Sequence, residues 1–161
     1  MNPFYRIDNR LVHGQIIATW MPHLRYQRIL IASDDVPENA LQMTMFRMAI
    51  PQAVAFDAQP IKAAARTLST RVFGNERVLV LLQNVEDAVR LFNAGNPFAN
   101  LNIGNVHHSP ERRRFTNAVY LGEGELEQLR VLIERGVRVE IQSLPTETPI
   151  DLKQTLASEP R

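Results

Sequence analysis

Ten consecutive residues, Arg6-Ile7-Asp8-Asn9-Arg10-Leu11-Val12-His13-Gly14-Gln15, bring together side chains suited to moving a phosphoryl group. The His13 imidazole is a nucleophile able to carry that group covalently. Arg10, three residues earlier, offers a planar fork of donors that matches phosphate oxygens. Gly14 lets an anion come close to the backbone, and Gln15 follows it in the same phosphate-binding segment. Asp8 has three readings: it orients the His13 ring, holds Arg10, or caps the turn. Plainer readings exist for the others too, a solvated or capping histidine and a glycine that only tightens a turn.

The flanking residues say how this run is held. Pro3 to Asp8 is strand-like, and Ile16, Ile17, Trp20 and Met21 recur at helical spacing within Gln15 to Met21, leaving Asn9 to Gly14 as the turn. His13 is therefore expected at a helix N-terminus, where unpaired backbone N–H groups and the helix dipole favour an anion.

Further along, strands and helices alternate. The expected strands are Gln27 to Ser33, Ala53 to Asp57, Val78 to Leu82, Leu101 to Ile103, Ala118 to Leu121 and Val137 to Ile141, the last alternating strictly and so half-exposed. Ser33, Asp34 and Asp35 before Pro37 open a helix whose Leu41, Met45, Met48 and Ala49 share a face. A second helix carries Ile61, Ala65, Leu68 and Val72 and ends at Gly74. A third is capped by Asn84 with Asp87 three residues on, and a fourth carries Leu126, Leu129, Leu132 and Ile133 before Gly136. This is the pattern of an α/β fold, a single open, mostly parallel twisted sheet of about seven strands with helices on both faces. Residues 1–161 are expected to form one domain, loosely held from about Pro145 to Arg161. Ligands of such sheets gather beyond the carboxyl ends of the strands. The loops expected to face His13 there are Ser33 to Pro37, Asp57 to Gln59, Gln83 to Val85 and Gly104 to Phe115.

Bulk composition excludes several classes. At 161 residues, roughly two-thirds of the unfolded surface can be buried without staples. There is no cysteine, which removes disulfides, thiol nucleophiles and iron–sulfur clusters. A formal net charge of +1, with Lys62 and Lys153 the only lysines, argues against a nucleic-acid partner. No secretory signal opens the chain, and no apolar run approaches the ~20 residues of a membrane helix. The protein is expected to be cytoplasmic. A receiver domain fails on placement, because Asp34-Asp35 follow the second strand and no lysine lies near the end of the fifth. Neither GxxxxGK[ST] nor GxGxxG spacing occurs, so a nucleotide site is not indicated.

The Arg6 to Gln15 run, followed by Trp20, resembles the signature of the IIB subunits of the mannose/fructose/sorbose class of the phosphoenolpyruvate-dependent sugar phosphotransferase system (PTS). Ile29-Leu-Ile-Ala-Ser-Asp-Asp35, Val78 to Asn84, Asn102-Ile-Gly104 and Asn117-Ala-Val119 fit in order, so the resemblance spans nearly the whole chain. It implies a phosphotransferase, the IIB component of a protein-N(pi)-phosphohistidine–sugar phosphotransferase. His13 would take the phosphoryl group from a IIA domain and pass it to a sugar entering through the membrane subunits IIC and IID, which choose the sugar. Arg10 and Asp8 then match the family's loop arginine and strand-end aspartate. No metal and no cofactor are implied, and docking at the inner face of the membrane would run through IIC and IID. A regulatory sensor of phosphorylation state, with no sugar transport of its own, is the alternative. The chain departs from the family after its fifth strand, where Ile103 to Pro110 replaces a compact glycine-rich turn and precedes Glu111 and Arg112 to Arg114. Those three arginines form either a docking patch for a partner or a solvated loop, and His107 and His108 beside them are solvated loop residues or, less in keeping with the absent cysteines, metal ligands.

Overall fold

The computed structural model describes residues 3–158. Its main sheet runs β3-β2-β4-β1-β5-β8-β9, from β1 (Phe4–Asp8), β2 (Arg28–Ala32), β3 (Ala55–Gln59), β4 (Val78–Leu82), β5 (Asn100–Asn105), β8 (Arg138–Ile141) and β9 (Ile150–Asp151). All neighbours pair in parallel except β8 and β9, which are antiparallel. The α/β sheet of seven strands is the one expected, but its membership differs. Ala118 to Leu121 does not enter it: β7 (Tyr120–Leu121) pairs with β6 (Arg113–Arg114) in a separate hairpin, with a parallel bridge between Val119 and Val106, the residue after β5.

The seventh place is taken by β9. Residues after Pro145, expected to be loosely held, instead add β9 and α6 (Leu152–Ala157), and Leu152 is wholly buried in the core. Asp151 caps α6, its side chain accepting from the Gln154 N–H at 3.0 Å. The last part of that expectation, Glu159 to Arg161, lies outside the described residues.

Strand alternation divides the interior in two. Tyr5, Ile7, Leu30, Val80, Leu82, Leu101 and Ile103 face α3 (Ile61–Ser69), α4 (Val85–Asn93) and α5 (Glu123–Glu134). Ile29, Ile31, Leu79 and Leu81 face the other side, under a helical segment formed by a wide π-type turn, Ile16–Trp20, running into α1 (Met21–Leu24), and under α2 (Ala40–Ala49). Val78 to Leu82 is buried on both faces, as five apolar residues in a row require. Val139 and Ile141 face the first core, while Arg138 and Glu140 point away and pair at 2.7 Å, which is why β8 reads as half-exposed.

Two helix boundaries differ from expectation. Pro37 sits in a 3₁₀ turn, Val36–Glu38, and α2 is capped instead by Asn39, whose Oδ1 accepts from the Gln42 N–H at 3.0 Å. Asp34 accepts from the Ile61 N–H at the start of α3. The apolar face that Leu41, Met45, Met48 and Ala49 share on α2 is turned to solvent: Leu41, Met45 and Met48 are 72, 60 and 83% accessible, and Phe46 and Ile50 face the core. α3 ends at Ser69, so Val72 lies past it and is exposed, while Gly74 forms a later turn at φ +57°. The caps expected at Asn84 and Gly136 are present. Among the described residues no helix is long and apolar enough to cross a membrane.

Candidate functional site

β1 carries apolar side chains toward the α3–α5 core but arginine and aspartate on its other face. Arg6 and Asp8 are both wholly buried there. Burial of charge costs several kcal/mol unless it is paired, so these two residues must be satisfied locally. The Arg6 Nη2 donates to Asp8 Oδ2 at 3.3 Å, and Nη1 donates to Asn102 Oδ1 at 2.6 Å and to the Gln142 carbonyl at 2.9 Å. Nη2 also reaches the Ser143 carbonyl at 3.2 Å. The guanidinium lies 4.6 Å from the Trp20 ring centre, and the Trp20 indole donates to the same Ser143 carbonyl at 3.0 Å. Burial pulls the Arg6 pKa below its usual value, and the adjacent Asp8 acts in the opposite sense.

The sequence singles out Asn102-Ile-Gly104 without giving its reason, and the packing supplies one. A Cβ on Gly104 would sit 1.8 Å from the Arg6 Cζ, so the glycine is the space that the guanidinium occupies.

Asp8 then organises the loop. Its Oδ2 lies 2.8 Å from His13 Nε2, and its Oδ1 accepts from the Arg10 backbone N–H at 3.2 Å with Arg10 Nε 3.9 Å away. A carboxylate only accepts, so Nε2 is the donor in this contact, and in the neutral tautomer that makes it, Nδ1 holds the lone pair. Of the three readings of Asp8, the geometry contains all three at once: ring contact, Arg10 contact and turn cap. The turn itself is tight. Leu11 is wholly buried in the left-handed region at φ +57°, its N–H bonded to the Asp8 carbonyl at 2.9 Å.

His13 is 13% exposed and Arg10 44%, so both reach the surface while Asp8 does not. Arg10 Nη2 donates to Gln15 Oε1 at 3.2 Å, and Gly14 has open space where a side chain would project. The predicted Arg10, His13, Gly14 and Gln15 thus form one rim. Asn9, unremarked as a site residue, clips this rim to its neighbours. Its Nδ2 donates to the Gln83 carbonyl at 2.7 Å and its Oδ1 accepts from the His107 N–H at 2.5 Å. The loops after β4 and β5 therefore do meet the site. Asp57 to Gln59 lies instead in β3 at the far edge, with β2 and β4 between it and β1. A further wall, Gln142 to Glu147, was not expected. It follows β8, and the Glu147 carboxylate accepts from the Ser143 and Leu144 N–H groups.

The three arginines of the loop after β5 are not equivalent. Arg112 ties the hairpin down, donating to Glu125 Oε1 at 2.8 Å and to the His107 carbonyl at 3.0 Å. Arg113 stacks over Phe115 at 4.5 Å and Arg114 donates to Asn117. His107 is held through its backbone by Asn9, and the His108 ring packs edge-on against Tyr120 at 5.1 Å.

Comparison with known proteins gives a consistent picture. Residues 3–160 match the family model described as PTS system sorbose subfamily IIB component. A PTS system fructose-specific EIIB component of Bacillus subtilis (strain 168) is 28% identical over 151 residues, covering 94% of this chain and 93% of that one. A PTS system mannose-specific EIIAB component of Escherichia coli (strain K12) is 26% identical over 94% of this chain, which spans 47% of that longer protein. The crystal structure of the IIBSor domain of the sorbose permease from Klebsiella pneumoniae superposes with a TM-score of 0.88 at 27% identity, covering 99% of both chains.

Proposed function

The chain belongs to the sorbose-subfamily IIB components of the sugar phosphotransferase system, and from that premise we propose that it is a phosphocarrier working through His13. The phosphoryl group comes from the phosphohistidine of a IIA domain. The Nδ1 lone pair of His13 attacks phosphorus in line, the donor's P–N bond breaks, and the donor imidazole leaves with its electron pair. In the second transfer a sugar hydroxyl, delivered through IIC and IID, attacks the same phosphorus. The Nδ1–P bond breaks with its electron pair returning to Nδ1 as a lone pair, and the hydroxyl proton passes to water as the sugar phosphate forms.

The observation that carries this reading is the 2.8 Å contact between His13 Nε2 and the buried Asp8 carboxylate. It supports the tautomer protonated at Nε2, in which Nδ1, the pi nitrogen, is the nucleophile. Phosphoryl transfer asks mainly for positioning and charge stabilisation. Arg10, part-exposed beside the ring, supplies a fork for the phosphoryl oxygens, with Gly14 and Gln15 giving the backbone room to approach. Arg6, through Asp8, positions the ring without touching the group transferred. The Escherichia coli relative, named as an EIIAB component, joins the two kinds of domain in one chain and so supports IIA as the donor. Cytoplasmic action with docking at the inner membrane face follows from IIC and IID as the acceptor side.

Incubation with phosphoenolpyruvate, the general phosphotransferase proteins and a family IIA should add the mass of one phosphoryl group. His13→Ala should abolish the addition and leave the fold intact, and the label on the parent protein should be acid-labile and alkali-stable, as a phosphoramidate is. Full labelling in His13→Ala, or labelling at His23, His107 or His108, would overturn the reading.

A further inference from the structure

A cavity of about 650 Å³ opens at the end of the sheet opposite His13. It lies where β1, β4 and β5 begin and where the turns after α3 and α4 come together. The five residues of β1 set it roughly 15 Å of strand away from the Asp8 end. Phosphoryl transfer makes no use of it, and its size is that of a small-molecule site, for which about 300–1,000 Å³ is usual.

Its lining is mixed in a specific way. Tyr5 and Phe98, both buried, stack on each other with ring centres 4.6 Å apart, and the half-buried Phe73, with the Arg28 guanidinium 4.4 Å from its ring centre, adds a third ring. Asn96 is buried among them, its Nδ2 donating to the Tyr5 hydroxyl at 2.9 Å, and Asn75 brings a second amide at the rim. Arg71 also lines the cavity, held in the left-handed region at φ +51°. A smaller adjoining cavity shares Asn75 and is lined by Arg25 and Arg77. Among the described residues none of these three guanidinium groups has an ion pair or a hydrogen bond, although the Arg77 backbone N–H donates to Gln27 Oε1 at 3.1 Å. The acid of the rim, Glu76, is taken by Arg28 at 2.7 Å. Unopposed cations therefore border a pocket of rings and amides.

We propose that this cavity binds a phosphorylated monosaccharide. The half-buried Phe73 ring offers apolar surface to the C–H face of a sugar, and the exposed Asn75 amide donates and accepts as vicinal hydroxyls require, Asn96 being already paired with Tyr5. Guanidinium groups pair with the phosphate. Inorganic phosphate would leave the rings and amides unused, and an uncharged sugar would leave the arginines unopposed. The assignment stands on the lining of this pocket and is separable from the role of His13.

Calorimetric titration of the full chain with mannose 6-phosphate, mannose and inorganic phosphate tests it. The sugar phosphate should bind at least about tenfold more tightly than either part, and equally well to His13→Ala, which separates this pocket from the phosphoryl site. Arg71→Gly removes the guanidinium yet suits the φ of +51°, and should weaken binding about tenfold. Asn75→Trp, which fills the mouth, should abolish it. Both variants should still accept a phosphoryl group on His13 at the parent rate, showing that they are folded. Absence of binding to the parent protein, equal affinity for phosphate alone, loss in His13→Ala, or full affinity in both pocket variants would overturn the proposal.

Discussion

With Arg6 and His13 on one oxygen and the Arg10 amide on the other, the Asp8 carboxylate is a buried charge balanced by its partners. Removing Asp8 from this group leaves the buried Arg6 without its carboxylate in a low dielectric, at a cost of about 3–5 kcal/mol. Asp8→Asn should therefore lower unfolding free energy by roughly that amount in a urea titration, and slow phosphoryl transfer because the ring loses its fixed tautomer. Arg10→Lys separates the two effects. Arg10 is part-exposed, so stability should be unchanged, but the loss of the planar fork should slow transfer markedly in a rapid-quench measurement. Equal transfer rates in Arg10→Lys and the parent would show that positive charge alone suffices. Gly104→Ala reaches the same site from below: its methyl would occupy the Arg6 guanidinium's place, and displacing that group should cost about 1–3 kcal/mol and reduce transfer with it.

Helix α2 shows how far an apolar stripe can mislead at the level of one element. Leu41, Met45 and Met48 lie on the exposed side, so replacing all three by polar residues should change stability by less than about 0.5 kcal/mol per site, whereas Phe46→Ala should cost about 3–5 kcal/mol. Thermal unfolding of the two variants distinguishes the faces. Helix α4 carries a pH effect. Burial pushes the Asp87 carboxyl up to about 6 from its ordinary 3.8, although Arg90 beside it acts in the lowering direction. The folded state thus favours the protonated form. Its contribution to stability is fully present below pH 3.8 and is lost as pH rises through about 6, a change on the order of 1–3 kcal/mol. Asp87→Asn, which keeps the backbone N–H bonded to Asn84, should be more stable than the parent protein at pH 8 and little different at pH 3.5.

Across the whole molecule, β1 lies between β4 and β5, and its connection leaves toward the α1–α2 side while theirs leave toward the α3–α5 side. That divergence opens the crevice in which His13 stands. The hairpin β6–β7 flanks it, anchored by Arg112, while Arg113 and Arg114 are exposed. A net charge of +1 provides little long-range field, so any steering of an acidic IIA surface must come from such local groups. Arg113→Ser/Arg114→Ser should therefore lower the association rate with IIA at low ionic strength and flatten its salt dependence, with transfer inside the complex unchanged. Association at the parent rate in low salt would reduce the pair to a solvated loop. Arg112 is better left in place, because its loss would free the hairpin.

What the sequence by itself determined is local. Apolar periodicity marks which side chains avoid water along one strand or helix, so β1, the turn and the helix after it could be read, and with them the placing of Arg10, His13, Gly14 and Gln15 on one rim. Asn84 and Gly136 were legible for the same reason, since capping and positive-φ positions depend on a few neighbouring residues. Arg6 was not, because its partner Asn102 is 96 residues away and its other acceptors are backbone carbonyls beyond β8. Register between strands, not pattern within them, brings those groups together. The outward face of α2, the placing of Tyr120–Leu121 outside the main sheet and the docking of β9 beside β8 have the same origin. Each depends on which neighbouring surface is left to cover, and only the assembled tertiary structure decides that.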